Sequence, residues 1–100
     1  MNIYRRRAEL VGAVFVDLAK VEFTPNLLRR VPAELVHRYR VLPVAEAASE
    51  IAIVTSDPSD LEAFEELNRV LDKQIELRVA DKAQIDAFIE QLYGKHPSTG

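Results

Sequence analysis

The chain reads as an α+β domain: a small three-stranded, mostly antiparallel sheet packed with about four helices. Three observations carry that expectation. Gln74-Ile75-Glu76-Leu77-Arg78-Val79 alternates apolar and polar residues with the period of a strand. Ile85, Phe88, Ile89 and Leu92 follow at helical spacing and form one apolar stripe. Val41 to Val44 and Ile51 to Thr55 are two short apolar runs close enough in sequence to form a hairpin.

Taken in order, Tyr4 to Val11 suits a short helix, with Gly12 where a left-handed residue would stop it. Val14 to Leu18 is a brief extended segment with Phe15 and Leu18 at the edge of the core. Thr24-Pro25 opens the next helix, because threonine satisfies a free N–H and proline at the first helical position has none to satisfy. Pro32 restarts or kinks it, and Val31, Leu35, Val36 and Tyr39 share one face up to the strand at Val41. Pro43 sits in that strand where its missing N–H need not be paired. Ala45 to Glu50 must turn, without the Gly or Asn that tight hairpins favour.

After the strand Ile51 to Thr55, Asp57 is the expected cap and Pro58 the expected first residue of a helix over 58–72. Asp81 with Gln84 resembles a capping box and starts a helix over 82–93, which Gly94 ends. Helices 58–72 and 82–93 are expected on one face of the sheet, whose spatial strand order is expected to be second, first, third. Residues 1–94 thus form one domain, and 95–100 a flexible tail.

Length and composition narrow the function. One hundred residues at 48% hydrophobic content suit a single core. With no cysteine, neither disulfides nor thiolate chemistry can be built, which favours a cytoplasmic setting. No run approaches the roughly 18 apolar residues of a spanning helix, so direct membrane insertion is not expected. The net charge of −3 conceals a split: residues 1–40 carry eight basic against four acidic side chains, and residues 41–100 carry five against twelve. Such a dipolar chain suits a protein partner of complementary charge better than nucleic acid, which the acidic half would repel. The candidate partner-binding residues are Arg5, Arg6, Arg7, Arg29, Arg30 and Arg38, each of which also reads as part of a solvated helix face.

Catalytic patterns are missing. Three glycines, at 12, 94 and 100, cannot form a phosphate loop of the GxxxxGK[ST] or GxGxxG kind. No serine has a GxSxG setting, and Glu62, Glu65 and Glu66 read as a solvated helix face. His37 has no second ligand at metal spacing and reads as a surface or core-edge residue. No catalytic residue, cofactor or metal site is expected.

Four segments carry a family resemblance: VFVDL (Val14 to Leu18), LLRRVPAELVHRYRVLPV (Leu27 to Val44), IAIVTSDPSDLEAFEEL (Ile51 to Leu67) and IDAFIEQLYG (Ile85 to Gly94). Together they resemble the N-terminal domain of the type II secretion and type IV pilus assembly ATPases. The resemblance implies a docking role at the cytoplasmic side of an inner-membrane platform, without the ATPase core. Some members bind cyclic di-GMP through RLG-type helical repeats, which makes a cyclic di-GMP-sensing module the alternative, through Arg5 to Arg7 or the Arg29/Arg30 pair. At the place of such a repeat this chain has Arg7-Ala8-Glu9.

Overall fold

A computed structural model describes residues 2–94; the tail expected over 95–100 lies outside the described residues. The elements are α1 (Ile3–Val11), β1 (Val14–Phe15), a 3₁₀ turn (Leu18–Lys20), α2 (Pro25–Leu28), α3 (Ala33–Tyr39), β2 (Leu42–Glu46), β3 (Glu50–Thr55), α4 (Leu61–Val70), β4 (Gln74–Val79) and α5 (Lys82–Tyr93). The α+β class stands, but the sheet differs from the expected one. It has four strands in the order β1-β4-β3-β2 and is mixed.

The correction lies in where β4 pairs. It was expected beside β2 and antiparallel to it; it lies beside β3 and parallel to it, with Ile51 opposite Ile75 and Thr55 opposite Val79. Two physical features favour this order. β3 is buried residue after residue: Ile51, Ala52, Ile53 and Val54 are none of them more than 4% exposed. A strand covered on both faces belongs in the middle of a sheet. Pro43 in β2 lacks an N–H, so β2 tolerates one paired side and one open side, as an edge strand has. β2 meets only β3, antiparallel, with the register shifting between Pro43 and Ala45. At the other edge the brief segment after Gly12 becomes β1, which pairs parallel to the end of β4 through Val14 and Arg78.

The helix ends follow local chemistry. The Asn2 side chain accepts from the Tyr4 and Arg5 amides, and Gly12 at φ +70° closes α1. Thr24 accepts from the Leu27 amide with Pro25 at the first position. The stretch 24–40 is two helices, because residues 29–32 leave the helix before Pro32 starts α3. Arg40 at φ +54° ends α3 where a glycine would be usual. α4 begins three residues later than expected: Asp60 caps it through the Ala63 amide, while Asp57 accepts from the amide and hydroxyl of Ser59 in the preceding turn. Asp81 caps α5 as expected, but Gln84 does not complete the capping box. Its side chain points away from its own helix, to Asp17 and Leu18.

The core is built on β3. Ile53 and Val54 join Leu42 from β2, Val36 from α3 and Leu18 from the 3₁₀ turn, all fully buried, with Leu67, Ile85 and Ile89 from α4 and α5. Each such aliphatic side chain contributes about 1.5–3 kcal/mol on burial. His37, expected at the surface or core edge, is 5% exposed.

Candidate docking surface

Glu46 is the centre of a polar cluster that joins three separate parts of the chain. It lies at the end of edge strand β2, where its carboxylate accepts from Lys73 Nζ at 2.6 Å and from Arg30 Nε at 2.8 Å. Lys73 also donates to the Ala47 carbonyl at 2.7 Å, so it closes the β2–β3 turn and ties it to the start of β4. Arg30 reaches this point because the chain leaves helix after α2, and α2 packs on β2. The bond from Lys73, then that from Arg30, hold the Glu46 carboxyl below the ordinary glutamate range.

Beside this cluster lies a cleft of about 170 Å³. Arg30, Glu46, Asp72 and Lys73 line it with charge of both signs, and Ile51, Val70 and Leu71 give its apolar lining. Val70 is 44% exposed although it is a large aliphatic residue. A recess of this size with an ionic lip fits one apolar side chain of a partner, fixed in direction by the charges around it.

The six arginines singled out in the sequence do not form one surface. Arg5, Arg6 and Arg7 are on α1, which packs against β1 and β4 at one edge of the sheet. Arg30 lies beside β2 at the opposite edge. All six are engaged within the chain, Arg30 with Glu46 as above. Arg7 donates to the Ser56 carbonyl at 2.7 Å, and the Arg5 guanidinium stands 4.5 Å from the centre of the Phe15 ring. Arg6 lies 3.9 Å from Glu9, and Arg38 3.9 Å from Glu34. Arg29 bonds to Asn26. Pairs as exposed as Arg6–Glu9 and Arg38–Glu34 contribute little to folding and remain available to a partner.

A second, shallower hollow lies at the start of α5. Arg5 and Phe15 face Asp17, Asp81 and Gln84 across it. Gln84 donates to Asp17 at 2.9 Å and accepts from the Leu18 amide at 2.9 Å. The Gln84 bond, reinforced by the Ala19 amide, holds Asp17 below the ordinary aspartate range. Two carboxylates give this hollow a sign unfavourable to a phosphate. Among the described residues no group of three His, Cys, Asp or Glu is placed to hold a metal ion, and no helix is long and apolar enough to cross a membrane.

Sequence reading missed Glu46 and Lys73. Ala45 to Glu50 looked like a turn, whereas Glu46 continues β2 and points at residues from two other parts of the chain. No local pattern marks a carboxylate whose partners are 16 and 27 residues away.

The MshEN domain family matches residues 11–99. The chain belongs to this family. MshEN domains of this kind form the N-terminal part of type II secretion and type IV pilus ATPases. This MshEN domain is 30% identical over 88 residues to the type IV pilus assembly ATPase PilB of Myxococcus xanthus strain DK1622, covering 87% of the chain and 16% of PilB. The chain therefore spans about a sixth of that relative. Among solved structures, MshE with cdg superposes at a TM-score of 0.82 with 24% identity, covering 91% of this chain and 66% of that one. The N-terminal domain of XpsE superposes at 0.73 with 22% identity, covering 87% and 62%. At such identities these likenesses bear on the fold alone. The family match begins at Val11, so nearly all of α1 precedes it.

Proposed function

We propose that this MshEN domain is a non-catalytic docking or adaptor module that attaches to a protein at the cytoplasmic face of an inner-membrane secretion or pilus platform. The observation that carries this is the cleft at the β2 edge, with Arg30, Glu46 and Lys73 at its lip and the exposed Val70 in its lining. Family membership supports the setting, because the matched relative is a pilus assembly ATPase. ATP hydrolysis is not part of the reading, since the chain covers 16% of that protein.

A cross-linked pull-down of the tagged chain from its source cell, read by mass spectrometry, tests this. Recovery of platform proteins, lost when Arg29 and Arg30 are both changed to Glu, is the expected result. Platform proteins at control level, or recovery indifferent to the charge reversal at low salt, would remove the proposal.

A second reading is cyclic di-GMP sensing, favoured by the fold shared with MshE, whose solved structure contains cdg. Arg5 on Phe15 would offer a stacking plane for a guanine base. Against it stand the Arg7-Ala8-Glu9 sequence and the carboxylates of Asp17 and Asp81 in the adjoining hollow. Calorimetric titration with cyclic di-GMP decides it: no heat and no thermal shift at high micromolar nucleotide eliminates the sensor.

A further inference from the structure

Helix α1 is tied to the domain by little. The buried cluster that holds the fold together draws on the 3₁₀ turn, α3, β2, β3, β4, α4 and α5, and takes no residue from α1. Ala8 is the one buried residue of α1. Two side-chain contacts hold the helix down besides: Arg7 donates to the Ser56 carbonyl, and the Arg5 guanidinium stands on the Phe15 ring, 4.5 Å from its centre.

Arg5 makes that contact in the hollow at the start of α5, whose other charged groups are of the opposite sign. Asp17 and Asp81 line it together with Phe15 and Gln84. The Gln84 and Ala19 bonds hold the Asp17 carboxyl low, and the charge of Arg5 adds to them. Both carboxylates are only half used. Asp17 takes its hydrogen bonds from Ala19 and Gln84 on Oδ1, and Asp81 takes those from Ala83 and Gln84 on Oδ1, so among the described residues both Oδ2 atoms are open. An aromatic face with open carboxylate oxygens beside it is complementary to a guanidinium, which stacks on the ring and donates from its rim. Arg5 makes the first of these interactions and not the second: it stands on the ring but forms no ion pair among the described residues.

We propose that this hollow is a recognition site for an arginine side chain of a partner protein, and that Arg5 fills it from within the chain, which makes α1 a strap that the partner's arginine displaces. The strap can lift without disturbing the core, because no core residue lies on α1 and the helix ends at Gly12, with φ +70°. Lifting it removes the one positive charge among the lining residues and leaves Asp17 and Asp81. The inference does not depend on the docking proposal, which concerns the opposite edge of the sheet.

Titration of the isotope-labelled chain with N-acetyl-argininamide, followed by amide NMR shifts, tests it. Shifts at Phe15, Asp17, Asp81 and Gln84 are expected, with a millimolar dissociation constant that falls about fivefold in Arg5→Ala, where nothing competes for the ring. In that background Asp81→Asn, which keeps a capping side chain, should weaken binding about threefold. Hydrogen exchange of the α1 amides should quicken about fivefold in Arg5→Ala, and equally in wild type saturated with the probe, while the β3 amides stay as they were. Equal affinity in wild type and Arg5→Ala overturns the proposal, as does a hollow whose amides stay unmoved by about 100 mM probe in Arg5→Ala. So does binding indifferent to Asp81→Asn. Exchange that quickens in α1 and β3 together means the whole fold has loosened, and removes the strap.

Discussion

The Tyr93 hydroxyl donates a 2.6 Å hydrogen bond to the Leu28 carbonyl, joining the last turn of α5 to the end of α2 across 65 residues. Burial pushes its phenol up to about 12 from an ordinary value of 10.0. A group whose pKa is raised by folding contributes stability that is complete below its unfolded pKa and is lost as pH rises through the folded one. Wild-type stability should therefore fall between pH 10 and about 12. Tyr93→Phe should cost about 1 kcal/mol at neutral pH and show a smaller alkaline loss. Thermal melts across the alkaline range, with absorbance titration of the tyrosines, check both.

Gln84→Ala should be costlier than an ordinary surface substitution. The Leu18 amide, on a residue that is fully buried, loses its acceptor, at a cost of about 1–3 kcal/mol. Gln84→Glu keeps an acceptor for that amide but places a second carboxylate on Asp17, 2.9 Å away in the native pair. Its destabilisation should be present at pH 7 and shrink as pH falls through the carboxylate range. Urea denaturation of both variants at two pH values separates the lost bond from the added charge.

Arg40 combines a left-handed backbone with a bond from its side chain to Asp86 at 2.9 Å. Burial raises the Asp86 carboxyl, but the bonds from Lys82 and Arg40 outweigh it, and the net shift is downward. Arg40→Ala loses the bond and keeps the backbone strain; Arg40→Gly loses the bond and relieves the strain. The glycine variant should be the more stable of the two by about 1 kcal/mol in chemical denaturation.

Acid should dismantle the β2-edge cluster first through Glu46. A carboxyl whose pKa is lowered by folding contributes stability that is present above its unfolded value, here 4.5, and lost as pH falls through the lower folded value. Glu46→Gln should therefore be less stable than wild type at pH 7, with the difference closing below pH 4.5. Melting temperatures measured from pH 3 to 7 give the answer.

Local signals were legible wherever one residue decides the local outcome. Gly12, Thr24-Pro25 and Asp81 mark helix ends where expected, and the alternation of 74–79 is a strand. The strand order was less legible, because pairing depends on which surfaces are already covered. Pro43 held the clue: placing β2 between two neighbours would require an N–H it lacks. β1, at two residues, is too short for any period to show, and its partner is 64 positions away. The arginines were visible as charges, but only the fold reveals that Arg30 and Arg7 serve opposite edges of one sheet.

The parallel pairing of β1 with β4 also sets an order of events during synthesis. The β2–β3 hairpin is complete in sequence once Thr55 has emerged, but Val14 and Phe15 have no sheet partner until Arg78 and Val79 leave the ribosome. At about 5–20 residues per second, the segment around β1 waits roughly 3–13 s with its apolar side chains uncovered.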